Sequence, residues 1–214
     1  MNSGRTLGLA LVSLAIATST AYATTDIDVG ELLGRLARPT PEKTHFVEVR
    51  FSKLLTSPLV VSGELEFRSD GTLVRRVLEP YEEVTELTGD HARIERAGAP
   101  PRQFALDRTP ELRGMMASLG GLLRGDRAEM ERYFDLVATG NDGHWLIRLT
   151  PRGAKLRKHV QSIDIVGKER SPRCFTMLEP DGDSDTIAIG MSSPTKLPAP
   201  LEQSALERWC VGPN

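Results

Sequence analysis

The residues that most suggest chemistry lie together near the C-terminus, in the segment Asp181–Asp185, which reads DGDSD. As a calcium loop it has Thr186 at the sixth position, where glycine is needed, and Ser192 at the twelfth, where a bidentate glutamate is needed. As the Gly-Asp-Ser signature of an esterase family it lies late in the chain, between two predicted strands, and shares no block with a histidine. Because glycine and aspartate favour tight turns, the segment predicts a polar hairpin turn.

Other signatures of catalysis or metal binding are missing from the sequence. It contains no G-x-S-x-G elbow, no H-E-x-x-H pair, no phosphate-binding loop and no G-x-G-x-x-G after a predicted strand. The adjacent carboxylates Glu82 and Glu83 lie in a predicted turn and are expected to be solvated. The four histidines show no paired metal spacing, and two cysteines alone do not complete a zinc site. We therefore expect no catalytic residue, no metal and no cofactor, and a binding protein rather than an enzyme.

The charge balance restricts the class of partner. The chain carries 27 basic and 29 acidic side chains, a net charge of −2, and its basic residues are not segregated. A nucleic-acid-binding protein normally concentrates a positive excess, so no nucleic acid partner is expected. With 39% apolar residues in 214, the composition is that of one globular domain with a substantial core.

The N-terminus has the pattern of a secretory signal peptide over residues 1–23. Arg5 supplies the positive start, Leu7–Ala17 is an apolar run, and Ala21–Ala23 is an A-x-A cleavage site. A membrane anchor is the alternative, but the apolar run is too short to cross about 30 Å of hydrocarbon. We expect export, a mature chain that begins at Thr24, and a single domain over 24–214.

Export changes what the two cysteines imply. Cys174 and Cys210 are the only cysteines, and an even number in an oxidising compartment favours a disulfide. The bond would close a loop of about 36 residues and fasten the C-terminal tail.

Hydrophobic periodicity predicts a mainly β protein with helices, of the α+β class. A helix is expected over Asp28–Arg38, ended by Pro39 and Pro41, and a last helical piece over Leu201–Trp209. Alternating residues predict about ten strands, around 46–51, 61–68, 73–79, 83–87, 92–96, 102–106, 145–150, 160–166, 173–179 and 186–191.

One helical insertion interrupts this sheet. Its apolar stripe has helical spacing and consists of Leu112, Met115, Met116, Leu119, Leu122 and Leu123. A short second helix follows, with Asp126 and Glu129 at capping-box spacing and Met130, Tyr133 and Phe134 on its apolar face. The stripe fits an ordinary core helix, and its flexible Met pair also fits a surface that accepts varied apolar ligands.

Several blocks, in their order along the chain, resemble the LolA-type periplasmic carriers of outer-membrane lipoproteins. These blocks are Phe46-x-Glu48-x-Arg50-Phe51, Gly63-Glu64-Leu65-x-Phe67, Pro80 before a strand, the turn Gly89-Asp90, and Trp145-x-Ile147-x-Leu149-x-Pro151. The resemblance implies an incomplete antiparallel β-barrel over a lid of short helices, with an apolar cavity between them. It also implies a soluble periplasmic carrier of acylated cargo, lipoprotein or lipid, that acts between an inner-membrane donor complex and an outer-membrane acceptor.

On this hypothesis the protein is a monomer without a cofactor, and its cavity is enclosed by residues of both layers. The expected wall residues are Val47, Val49, Phe51, Leu65, Phe67 and Trp145. The expected lid residues are Leu112, Met115, Met116, Leu119 and Leu123. Two alternatives remain open: a lipid-sensing regulatory module of the same fold that signals through a protein partner, and a hydrolase of an envelope lipid that depends on Ser184.

The sequence departs from the family pattern at one position. Such carriers place an Arg-Pro pair directly after the second strand, where the arginine latches the lid, but the matching position here is Ser69, followed by Asp70. Strand alternation points Arg68 away from the cavity, which leaves Arg75 as a substitute latch.

Overall fold

The computed structural model describes residues 26–141 and 143–212. The predicted signal peptide and cleavage site lie outside the described residues. Within that part of the chain, twelve strands and five α-helices are present. The strands are β1 (Asp26–Ile27), β2 (Glu42–Phe51), β3 (Leu59–Phe67), β4 (Leu73–Glu79), β5 (Glu83–Thr88), β6 (His91–Arg96), β7 (Arg102–Ala105), β8 (Phe134–Gly140), β9 (Trp145–Pro151), β10 (Ser162–Lys168), β11 (Ser171–Leu178) and β12 (Ser184–Ile189). The helices are α1 (Val29–Leu36), α2 (Pro110–Arg124), α3 (Arg127–Glu131), α4 (Ala154–Arg157) and α5 (Gln203–Val211).

All twelve described strands form one antiparallel sheet in the order β1-β8-β9-β10-β11-β12-β2-β3-β4-β5-β6-β7. Neighbours in the sheet are consecutive in sequence except at two places, where β1 joins β8 and where β12 joins β2, with Ala188 opposite Val47. The sheet is not closed, because β1 and β7 are its two edges. The predicted class, an incomplete antiparallel barrel with helices, is therefore confirmed. None of the described helices combines the length and the apolar character needed to cross a bilayer.

The strand count exceeds the expected ten because β1 and β8 were not predicted. Phe134, expected on the apolar face of the second helix, is instead the first residue of β8. The helix before it, α3, ends at Glu131, and from Phe134 onward buried and exposed residues alternate, as a strand requires. Here the short period-two pattern was hidden by the helical spacing that precedes it.

Local capping explains where the helices begin and end. Asp28 accepts a hydrogen bond from the Glu31 backbone N at 2.7 Å and caps α1. Asp126 accepts one from the Glu129 backbone N at 3.0 Å, which confirms the predicted cap of α3. Helix α2 starts at Pro110 and ends at Arg124. The next residue, Gly125, caps it with a φ of +67°, the left-handed conformation that favours glycine at a helix end.

The sheet has two buried faces, which we name by the helices that cover them. The inner face packs against α1, α2 and α3, and its cluster includes Phe46, Leu65 and Ile147. The outer face packs against α5, and its cluster includes Cys174, Leu206 and Cys210. The sulfur atoms of the two cysteines lie 2.06 Å apart, a distance consistent with the predicted disulfide.

Three expected wall residues lie on the outer face. Val47, Val49 and Phe51 pack in the cluster beneath α5, and the inner face of β2 carries Phe46, Glu48 and Arg50 instead. The prediction assumed that the more apolar side of β2 faces the cavity. In the structure that side of β2 packs against α5, so these three residues are not wall residues of a cavity under α2.

Helix α2 is buried on two sides. On the side away from the cavity its residues are small, so that α3 and β8 pack closely against it. Gly114, Ala117, Ser118 and Gly121 are all buried. A Cβ added at Gly121 would lie 2.3 Å from Met130 Cγ, and one at Gly114 would lie 3.1 Å from Phe134 Cζ. This close packing joins α2 to α3 and β8.

Candidate functional site

A cavity of about 460 Å³ lies between α2 and the inner face of the sheet, and we call it the main cavity because both layers line it. Its apolar lining comes from six strands and the helix. The residues involved include Val61, Leu65, Leu73, Leu87, Phe175 and Ile187 from the sheet and Leu112, Met115 and Leu119 from α2. The α2 residues recur at helical spacing, so one side of the helix faces the space. Four of the predicted site residues, Leu65, Leu112, Met115 and Leu119, are thus brought together.

A second cavity of about 380 Å³ lies on the other side of Leu119. It is lined by Phe67, Leu122 and Leu123, among others, and Leu65, Leu73 and Leu119 border both cavities. Leu119 is 5% exposed, so it is enclosed between the two spaces. Phe67 and Leu123 therefore lie near the site, but in the neighbouring cavity.

The last two predicted site residues lie elsewhere. Met116 lines a shallow pocket with Arg113, Arg124 and Tyr133, on a different side of α2 from Met115. Trp145 is buried and lines neither cavity, and its Nε1 donates a hydrogen bond to the Glu169 carbonyl at 2.9 Å. Trp145 is a core residue at the β9–β10 pair.

Charged side chains form most of the rest of the main cavity's lining. Sequence reasoning missed them, except for Arg75, which it expected to act as a latch. Arg75 is 2.7 Å from Glu48 and 3.5 Å from Glu83, measured between Nη and Oε atoms. Arg50 lies 3.3 Å from Glu179 and 3.4 Å from Asp185, again between nitrogen and oxygen atoms. The available signal was the alternation in β2, where Glu48 and Arg50 occupy the positions between the buried apolar residues.

Asp185 has the most perturbed environment of these groups. Burial, followed by the nearby negative charge of Glu48, raises its pKa to about 6. Its Oδ1 is buried and has no hydrogen-bond partner among the described residues. The same holds for Oε2 of Glu111 in the first turn of α2, which is 4.0 Å from Nδ1 of His159.

Arg75 does not act as the substitute latch. Its guanidinium bonds Glu48 and lies 5.3 Å from the centroid of the Phe46 ring, so it belongs to the cavity lining. Other contacts hold α2 in place: Arg113 Nη2 is 2.9 Å from Asp90 Oδ1, and the Arg38 backbone N donates to the Leu123 carbonyl at 2.7 Å. Ser69 is exposed.

Residues 181–183 form the predicted turn between β11 and β12, with Gly182 at a φ of +93°, whereas Ser184 and Asp185 are the first residues of β12. Asp183 accepts a hydrogen bond from the Lys53 backbone N at 3.0 Å and so anchors the neighbouring β2–β3 loop. Ser184 is 1% exposed, and its hydroxyl has no partner in the described part of the chain. A serine without an adjacent base lacks the activation that a hydrolytic nucleophile needs. No cluster suited to a metal ion occurs among residues 26–141 and 143–212.

A family model described as "Outer membrane lipoprotein carrier protein LolA-like" matches residues 21–212. No curated protein shows significant sequence similarity to the chain.

Solved structures overlap the fold in part. A LolA superfamily protein from Nitrosomonas europaea has 10% identity and a TM-score of 0.41, over 79% of this chain and 93% of that one. LprF from Mycobacterium bovis has 13% identity and a TM-score of 0.34, over 82% and 98%. MucB has 15% identity and a TM-score of 0.35, over 84% of this chain and 62% of its own. These scores describe partial overlap and carry no information about a ligand.

Proposed function

The chain belongs to the LolA-like family of outer membrane lipoprotein carrier proteins, and from that membership we propose that it is a carrier that binds the acyl chains of a lipoprotein or lipid in the cavity under α2. The single observation that supports this most directly is the apolar lining of that cavity by both the sheet and the helix. Burial of a methylene group contributes about 0.8 kcal/mol, so a chain with a dozen buried methylenes gains on the order of 10 kcal/mol.

Leu119 is the residue of α2 that determines how much of the two cavities an acyl chain can enter. It separates the two cavities, and a movement of its side chain joins them into one longer space. When the site is empty, Leu119 and Met115 cover apolar sheet residues that water would otherwise contact. Loading exchanges these contacts for contacts with cargo, which keeps binding and release nearly balanced.

The remaining parts of the proposal concern place and partners. The mature chain, residues 24–214, acts as one domain in the periplasm after removal of residues 1–23. It takes acylated cargo from an inner-membrane donor and delivers it to an outer-membrane acceptor, as a monomer and without catalysis. Support comes from the family membership and from the signal-peptide pattern of the N-terminus.

The test is binding of a fluorescent fatty acid by the mature protein and by a matched pair of variants. Met115→Trp adds bulk inside the main cavity and is expected to lower affinity at least tenfold. Met116→Trp adds the same bulk one residue further along α2, outside that cavity, and is expected to leave affinity within twofold. Equal effects of the two variants, or no binding by the wild type, would contradict the proposal. Mass spectrometry of lipids extracted from the native protein identifies the cargo.

A further inference from the structure

The charged part of the main cavity is dominated by carboxylates. Five of its lining residues are acidic, whereas the lining contains only two arginines, Arg50 and Arg75, and one histidine, His159. The acidic residues are Glu48, Glu83, Glu111, Glu179 and Asp185. We propose that the cargo carries a cationic amine next to its acyl chain, and that this amine binds in the charged part of the cavity. This inference rests on the proposed carrier function and specifies the class of its cargo.

Each of the two arginines already forms ion pairs with two carboxylates. Arg75 contacts Glu48 and Glu83, and Arg50 contacts Glu179 and Asp185. An anionic head group would therefore have to displace an existing ion pair before it gained a positive partner. It would also bring another negative charge beside an acidic excess.

Unpaired acceptor atoms point to a donor from outside the protein. Oδ1 of Asp185 and Oε2 of Glu111 are buried without a hydrogen-bond partner within the described residues, and both residues line the cavity. They come from separate elements, β12 and the first turn of α2. A buried carboxylate oxygen without a donor is costly, and an ammonium group supplies three donors and no acceptor.

A third polar group of the lining is independent of the carboxylates. Thr85 of β5 is 8% exposed, lines the cavity opposite Arg75 in the sheet register, and makes no side-chain hydrogen bond in the part of the chain described. An unpartnered hydroxyl on a residue as little exposed as this one indicates that a polar group belongs in this space. The apolar residues of the same cavity, such as Leu112 and Met115, accommodate the attached chain.

The test compares three probes of equal chain length: decylammonium, decanoate and 1-decanol. Each displaces the neutral fluorophore N-phenyl-1-naphthylamine from the mature protein at low ionic strength and neutral pH. We expect decylammonium to bind at least tenfold more tightly than decanoate and severalfold more tightly than decanol. Raising the salt concentration should reduce the first difference and leave decanol binding unchanged.

Variants locate the preference in the cavity. Glu111→Gln and Asp185→Asn keep the side-chain shape but remove a charge, and each should weaken decylammonium binding threefold or more without changing decanol binding. Glu207→Gln removes an exposed charge on α5 and should change neither.

The outcomes separate this inference from the function on which it rests. If decanol and the fluorophore bind but decylammonium has no advantage over decanoate, the amine preference is wrong and the carrier function stands. If neither the fluorophore nor any of the three probes binds, the carrier function itself fails. A preference for decylammonium that persists in both cavity variants would place the amine elsewhere and overturn the assignment.

Discussion

Asp185 connects the charge of the cavity to the stability of the fold. Its pKa rises from 3.8 to about 6, first because of burial and then because of Glu48. Since the folded pKa exceeds the unfolded one, the protonated carboxyl favours the folded state. That contribution is fully present below about pH 4 and is lost as the pH rises through about 6.

We therefore expect Asp185→Asn to raise the free energy of unfolding at pH 7.5 by about 1–3 kcal/mol, because the amide removes a charge that is costly to bury. The gain should shrink toward zero near pH 4, where the wild-type carboxyl is already neutral. Urea unfolding across this pH range measures it, with Asp107→Asn at an exposed position as the control. A variant less stable than the wild type at pH 7.5 would contradict this account.

At the residue scale, the sequence predicted local features better than the faces of strands. The cap at Asp126 was predicted because capping depends on neighbouring residues alone, and Asp28, predicted as the first residue of its helix, is the cap of α1. The orientation of Val47 was not, because both sides of β2 are buried and alternation does not identify which layer covers which side. The role of Asp185 required knowledge of which strands meet, since Glu48 and Arg50 are distant in sequence.

At the element scale, Gly63 sets how closely β3 and β4 approach. A Cβ added at this residue would lie 1.8 Å from the Arg76 carbonyl oxygen, and the register of the two strands shifts between Ser62 and Gly63. The obstructing atom belongs to the backbone, so relief requires the strands to separate. The close approach of β3 and β4 thus explains why the Gly63-Glu64-Leu65 block begins with a glycine.

We expect Gly63→Ala to lower the free energy of unfolding by about 3 kcal/mol or more, or to prevent folding, because overpacking against backbone cannot relax locally. Gly34→Ala is the matched control: its added Cβ has nothing within 4 Å, and it lies inside α1, where alanine is favoured over glycine. That variant should gain about 0.5–1 kcal/mol. Denaturant midpoints of the two variants give the comparison, and a mild effect at Gly63 would show that the strands are not so close.

The elements themselves were largely predictable, with informative exceptions. Helix α2 was recognised from its apolar stripe, yet its second buried side was not, because Gly114 and Gly121 carry no hydrophobic signal. That packing depends on the shapes of Met130 and Phe134, and only the folded structure places these two side chains against the glycines of α2. Strand β8 was missed for a related reason, since Phe134 continues the spacing of the preceding helix.

At the scale of the whole molecule, the predicted Cys174–Cys210 disulfide would fasten the last helix to the sheet. The bond remains a prediction from the even cysteine count and the expected export, and it would close a loop over a separation of 36 residues. In the loop-entropy model such a closure stabilises the fold by about 3–4 kcal/mol.

We expect intact-mass analysis of alkylated periplasmic protein to show no free thiol. Reduction, or the double substitution of Cys174 and Cys210 by serine, should lower the free energy of unfolding by about 3–4 kcal/mol. Probe binding under α2 should persist, since α5 covers the opposite face of the sheet. Recovery of two alkylated cysteines would rule out the bond.

The pairing of β2 with β12 affects how the chain folds, because the two strands are far apart in sequence. Its partners, such as Val47 and Ala188, stand roughly 140 positions apart in sequence. Strand β2 is made early, but its second neighbour, β12, is completed only at Ile189. Until then one edge of β2 has unpaired backbone groups, which are open to mispairing. Because this pairing must close a long stretch of chain, we expect it to form more slowly than the local hairpins of the same sheet.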